Sequence, residues 1–198
     1  MLLLRGAYLS TARVAQGQWP RAALSDGREL GGKTLGLVGF GSIGQLTAQL
    51  ARALGMRVVA HDALMDRDHP AYARSGAECR PLDDLVAQAD VVSLHVPLVD
   101  STRNLFGAQR IAAMKPGAVL INTARGGIVD ERALADALRA GRLGGAAIDV
   151  FAAEPLPAQP HFADCPNLVL TPHVAGVTRE SNVRVSSVIA REVLEALR

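Results

Sequence analysis

Between residues 32 and 173 the chain alternates short apolar runs with stretches of helical periodicity. Residues 34–38, 56–60 (MRVVA), 90–96 (DVVSLHV), 118–122 (AVLIN), 143–151 and 168–170 are apolar or β-branched runs. Such runs are the pattern of strands buried on both faces. Residues 43–54 and 130–140 repeat apolar positions at helical spacing, and each is followed by a glycine, Gly55 or Gly141, placed to end a helix. Asp130 is a candidate N-cap. Residues 81–88 read as a helix with Pro81 in its first position. Alternating βαβ elements predict an α/β fold with a doubly wound parallel sheet. The ends depart from this pattern: residues 2–16 and 178–197 read as helices, and residues 17–32 as a polar, extended arm.

Composition narrows the class. With 198 residues the chain is long enough to bury roughly 70% of its unfolded surface without metal or disulfide staples. Hydrophobic residues make up 49% and charged residues 20%, which excludes intrinsic disorder. A formal charge of +2 is too small to argue for nucleic acid. No run reaches the ~18 apolar residues a membrane helix needs, and the N-terminus lacks the layout of a signal peptide. Cys79 and Cys165 are far apart and form no CxxC pair, so no metal site is expected. A reducing, cytoplasmic setting is the default.

Gly39-Phe40-Gly41-Ser42-Ile43-Gly44 is a GxGxxG string between a predicted strand and a predicted helix. Asp62 closes the next strand, 23 positions after Gly39, close to the ~20 expected of a dinucleotide site. In such a site Gly39 makes the tight turn, Gly41 lets the backbone approach a pyrophosphate, and Gly44 lets the helix pack on the strand. The helix amides then face the anion. Asp62 can accept hydrogen bonds from both ribose hydroxyls and would repel a 2′-phosphate. That favours NAD over NADP, although nearby Arg67 leaves NADP open. His61, Asp66, Asp68 and His69 crowd the same loop without the spacing of a metal site.

Ligands of open α/β sheets sit beyond the carboxyl ends of the strands. The polar residues found there are His95, Thr123 to Arg125, Asp149, Glu154 and Thr171 to His173. A nicotinamide enzyme acting on a hydroxy acid needs a forked cation for the substrate anion, which Arg125 can supply. It needs a group that exchanges a proton near neutral pH, which His173 can be. A carboxylate on the other ring nitrogen, for which Glu154 is placed, would orient that histidine.

The strings GKTLGLVGFGSIG, SLHVPLVDSTRNLFG, MKPGAVLINTARGGIVDE, AIDVFAAEP and TPHVAG resemble the D-isomer-specific 2-hydroxyacid dehydrogenases over residues 17–185. The resemblance implies a Rossmann-type NAD-binding domain over residues 17–178. It implies Arg125, Glu154 and His173 as substrate-binding arginine, histidine-orienting glutamate and acid–base histidine, and their spacings of 29 and 19 positions are similar to the family's. It also implies cofactor contacts at Ser42, Ile43, Asp62, His95, Val96, Pro97, Thr102, Thr123, Ala124, Arg125, Asp149, His173 and Gly176, with NAD as the cofactor. The expected reaction is NAD-dependent interconversion of a D-2-hydroxy acid and a 2-oxo acid by hydride transfer.

Family members carry a flavodoxin-like substrate domain ahead of the nucleotide domain. Residues 1–16 are thus expected to be the helix leading out of that domain, and residues 179–198 a helix returning to it. Part of the substrate site would lie in that domain, so this chain alone is expected to bind NAD and turn over poorly. The resemblance also implies a homodimer through the nucleotide domain, with Leu2-Leu3-Leu4 and Gln18-Trp19-Pro20 as candidate contacts or as cover for the sheet edge. One rival is a non-catalytic NAD-binding sensor or scaffold like the corepressors that resemble this family. A short-chain dehydrogenase is disfavoured, because neither Tyr8 nor Tyr72 is followed four positions later by lysine.

Overall fold

Strands too apolar to tolerate water on either face pair side by side and are covered by helices. The computed structural model describes residues 1–158 and 160–197. The strands are β1 (Thr34–Val38), β2 (Arg57–His61), β3 (Glu78–Cys79), β4 (Val91–Leu94), β5 (Val119–Asn122), β6 (Gly145–Ile148) and β7 (Leu168–Leu170). They form one sheet in the order β3-β2-β1-β4-β5-β6-β7, parallel throughout. The helices are α1 (Leu2–Arg5), α2 (Thr11–Ala15), α3 (Arg21–Leu24), α4 (Ser42–Ala53), α5 (Pro70–Ser75), α6 (Leu82–Gln88), α7 (Ala108–Ala113), α8 (Glu131–Arg139) and α9 (Arg179–Ala196). The order turns around β1, so the carboxyl ends of β1 and β4 flank the switch point where ligands of such sheets bind.

The period of two along each strand divides the core between the two faces of the sheet. Leu35 and Leu37 of β1 join Leu3, Leu4, Phe40, Ala48, Val58 and Tyr72 on one side. Val38 joins Leu85, Leu94, Phe106, Leu120, Leu134 and Leu138 on the other. Asp130 caps α8 by accepting from the backbone N–H of Arg132 (3.1 Å) and Ala133 (3.0 Å). That helix buries Leu134, Ala135 and Leu138.

Several local readings change. The helix expected over residues 2–16 is broken at Gly6 into α1, a 3-10 turn (Ala7–Ser10) and α2. Leu3 and Leu4 are buried in the chain's own core, and Arg28 N–H donates to Leu4 O at 2.9 Å, so these two leucines cannot serve a dimer contact. The arm carries the short α3. Pro81 stands at the N-cap of α6 rather than inside its first turn. The helices α5 and α7 and the two-residue β3 went unread, each too short to show a period.

At the amino ends of the strands, buried Asp90 ties three of them together. Its Oδ2 accepts from Thr34 N–H at 2.9 Å and its Oδ1 from Lys115 Nζ at 2.7 Å, while its backbone carbonyl accepts from Val119 N–H. Burial works to raise the Asp90 pKa, but the bonds from Lys115 and Thr34 outweigh it and hold the carboxyl below its ordinary value. A depressed folded-state pKa contributes stability above the unfolded-state value and loses it as pH falls through the folded value. Asp90→Asn is therefore expected to cost about 1–3 kcal/mol at neutral pH. The gap between variant and wild type should close in acid when denaturant unfolding is followed at a series of pH values.

Candidate active site

The first loop of the site is the glycine turn between β1 and α4. Gly39 has φ 93°, and a Cβ there would lie 2.5 Å from the carbonyl oxygen of His95. The turn therefore presses against the end of β4. A Cβ on Gly44 would lie 2.5 Å from Gly39 O, so helix and turn also meet without a side chain between them. Beside Gly41, by contrast, a Cβ would meet nothing within 4 Å. Helix α4 opens there without a side-chain cap. Uncapped first-turn amides next to open space are the surroundings a pyrophosphate requires. Asp62 lies against this turn: its Oδ2 accepts from Phe40 N–H at 2.7 Å and its Oδ1 from Leu64 N–H at 2.9 Å. Phe40, fully buried, stacks on Tyr72 with ring centroids 4.9 Å apart.

The cleft continues across the switch point. Ile43, His95, Val96, Pro97, Thr123, Ala124, Arg125, Ala175 and Gly176 line a cavity of about 410 Å³. Residues from α4 and from the loops after β4, β5 and β7 thus share one hollow. Burial lowers the pKa of His95, and its Nε2 lies 3.0 Å from Ser93 Oγ. Thr102 does not line this cavity. Its hydroxyl accepts from Val99 N–H (2.8 Å) and donates to Pro97 O (2.6 Å), holding the turn that carries Pro97.

Buried Asn122 shapes the loop carrying Arg125. Its Nδ2 donates to Arg125 O at 2.9 Å and its Oδ1 accepts from Ala124 N–H at 3.1 Å. The exposed guanidinium of Arg125 donates to Ala124 O at 2.6 Å, and among the described residues no side chain accepts from it.

His173 and Glu154 meet, with Nδ1 of the ring 2.7 Å from Oε2. Glu154 Oε1 accepts from Phe151 N–H at 2.8 Å. The bond from His173, then that from Phe151, hold the Glu154 carboxyl below its ordinary pKa. The carboxylate therefore stays ionised as an anchor for the ring's Nδ1–H, leaving Nε2 for chemistry. The pair borders a second cavity of about 680 Å³, walled by Phe151, Pro155, Leu156, Leu170, Thr171 and Pro172.

His173 itself has φ 55°, a left-handed conformation that costs a non-glycine residue about 1 kcal/mol or more. Buried Asp149 holds it there. Its Oδ1 accepts from Thr171 Oγ1 (2.5 Å) and Val174 N–H (2.9 Å), its Oδ2 from Ala175 N–H (3.0 Å), and its backbone carbonyl from His173 N–H (2.8 Å). Burial pushes the Asp149 pKa up, yet these bonds outweigh it and keep the carboxyl below its ordinary value. Asp149 thus organises the histidine loop and lines neither cavity. That role, like that of Asn122, escaped the sequence reading. The signal was present in both cases: a polar residue at the end of an apolar run.

In the loop after β2, His61 Nδ1 lies 3.2 Å from Arg80 O, and His69 Nδ1 accepts from Ala71 N–H at the start of α5. Among the described residues no three His, Cys, Asp or Glu side chains form a metal-ligating group, and no helix is long and apolar enough to cross a membrane.

Comparison with known proteins places the chain in a family. A 53% identical relative, the (S)-sulfolactate dehydrogenase of Chromohalobacter salexigens, aligns with 99% of this chain and 63% of its own. The glyoxylate reductase of Aeropyrum pernix is 43% identical over 85% of this chain and 50% of its own. Among solved structures, a glyoxylate reductase from Paecilomyes thermophila superposes on 100% of the chain with a TM-score of 0.88 at 34% identity, covering 58% of that structure. A D-lactate dehydrogenase from Aquifex aeolicus, complexed with NAD and lactic acid, gives 0.87 at 31% identity over 99% of this chain and 62% of its own. The chain therefore spans less than two thirds of these relatives. The family model for the NAD-binding domain of D-isomer-specific 2-hydroxyacid dehydrogenases matches residues 1–175, and the chain belongs to that family.

Proposed function

We propose that this chain is the nucleotide-binding part of an NAD-dependent dehydrogenase that interconverts a D-2-hydroxy acid and a 2-oxo acid. The observation that carries the reading is the His173–Glu154 pair, 2.7 Å apart, on loops adjoining a cleft that begins at the uncapped start of α4. Open space at Gly41 fits a pyrophosphate, and Asp62 at the end of β2 fits the two hydroxyls of an adenosine ribose. A bound NAD supplies or accepts the hydride. The chain's own residues do the rest. Arg125 binds the substrate carboxylate with its forked donors. In reduction, protonated His173 gives the Nε2 proton to the carbonyl oxygen. In oxidation, the neutral ring takes that proton back from the hydroxyl. Glu154 accepts from Nδ1–H in both directions, which fixes the ring and offsets its charge when protonated. Sulfolactate, glyoxylate, hydroxypyruvate and lactate, the acids in the relatives' names, all fit this chemistry.

Two further parts belong to the same reading. Helix α9 presents Val185, Val188, Ile189 and Val193 to the outside, as suits packing on a substrate-binding lobe. Helix α4 exposes Leu46 and Leu50, and its C-cap Leu54 is exposed beside them, which suits a second copy of the chain. A cytoplasmic setting fits Cys79 and Cys165, both free.

Three measurements test these points. Asp62→Ala is expected to weaken NAD in calorimetry and to narrow the preference over NADP; an unchanged ratio would remove Asp62 from ribose recognition. His173→Asn should lower turnover of a 2-oxo acid about 10²–10⁴-fold while NAD affinity stays within a few fold. Loss of both together would make His173 structural. Replacing Leu46 and Leu50 by glutamate should convert a sedimenting dimer to monomer, and a wild-type chain that sediments as a monomer would dismiss the α4 contact.

A further inference from the structure

The backbone at Phe151 and Ala152 meets three other parts of the chain. Phe151 N–H donates to Glu154 Oε1. The turn after Arg125 lies against the next peptide, the one between Phe151 and Ala152, since a Cβ on Gly126 would come within 1.7 Å of Phe151 O. The third contact comes from outside the site: Ala152 N–H donates at 2.7 Å to Oε1 of Glu131, the first residue of α8. The peptide that abuts the Arg125 turn, next to the amide that donates to Glu154, is thus held by one carboxylate from a capped helix.

The same carboxylate reaches the far limb of that loop. Glu131 Oε2 lies 4.0 Å from His161 Nε2, a buried nitrogen with no hydrogen-bond partner among the described residues. Just over two turns along α8, Arg139 donates to the carbonyls of His161 and Ala163. Helix α8 therefore grips the β6–β7 loop at both limbs, while Ala152, Ala153 and Glu154 between them are exposed. An exposed loop segment with few apolar contacts opens easily unless it is tied down. Beyond the bond from His173 to Glu154 itself, the tie nearest to Glu154 from α8 is the bond to Glu131.

We infer that Glu131 is a positioning residue for the acid–base pair, acting through the Ala152 N–H on the peptide that supports the turn after Arg125 and, through Phe151, on the adjoining amide that donates to Glu154. The inference rests on the proposed role of His173 and Glu154, but its geometry can be tested without coenzyme or turnover. The readout is the titration of the Glu154 carboxyl carbon by NMR in the 198-residue chain. Glu154 faces His173 directly and Asp149 at longer range. Glu131→Ala is expected to shift its midpoint upward, toward the ordinary glutamate value, as the bonds from Phe151 and His173 loosen. Glu131→Gln keeps an oxygen for Ala152 N–H and should restore the wild-type midpoint. Glu131→Asp keeps the charge and the helix start but withdraws the acceptor by one methylene, and should behave like alanine; it serves as the test if the alanine variant does not fold. An unmoved midpoint in the alanine and aspartate variants overturns the inference, and so does a glutamine variant that titrates like alanine. Calorimetry of the wild-type chain with NAD tests the dinucleotide reading separately, and the Glu154 titration decides the role of Glu131 whatever that heat shows.

Discussion

The site depends on one buried carboxylate at the end of β6. Asp149 takes a hydroxyl from Thr171 and two backbone N–H groups from Val174 and Ala175, and its carbonyl takes the N–H of His173. These bonds bend the chain after β7 through a conformation that His173 would not adopt alone. Removing such an acceptor leaves several donors to find other partners in a confined space, which is expensive. The ring's direction is therefore decided below it, by a residue that need not touch the substrate. Glu154 then needs only to meet a ring already in place.

The pair and the arginine come from loops after neighbouring parallel strands, β5, β6 and β7. Parallel pairing brings three carboxyl ends to one edge of the sheet, so residues far apart in sequence share a small volume with no contact between them in the chain itself. The His173–Glu154 bond is one result. The cavity shared by Thr123, Ala124, Arg125, Ala175 and Gly176 is another. Arg125 stands apart in one respect: its guanidinium is exposed, and among the described residues its one hydrogen bond is to the carbonyl of Ala124. Under the proposed function the site would combine a bonded histidine–glutamate pair with an exposed cation.

Much of this was legible from residue order. Continuous apolar runs identified six strands, the period of α4 and α8 identified the two principal helices, and residues placed at strand ends foretold that His173 and Glu154 would meet. The failures have physical causes. A two-residue strand and six-residue helices, such as β3, α5 and α7, carry no measurable period. The N-terminal helix was read as continuous because apolar positions persist across Gly6, whereas burial of Leu3 and Leu4 against the sheet fixes where the chain must turn. The duties of Asn122 and Asp149 were hidden for a different reason. Hydrogen bonds to backbone amides leave no trace in the identity of the donor residues, so only folded geometry reveals who is being held.

Both margins of the sheet are minimal. β3 has two residues and β7 three. Beside β3, Glu78 is paired with Arg57 and Arg80, so the outer rim there bears fixed charge rather than apolar side chains. A stranger's strand arriving at either rim would find few free amides and carbonyls to bond, and at one of them an ion cluster to dehydrate. A protein that keeps so many apolar strands in parallel register thereby offers little template for fibrous growth.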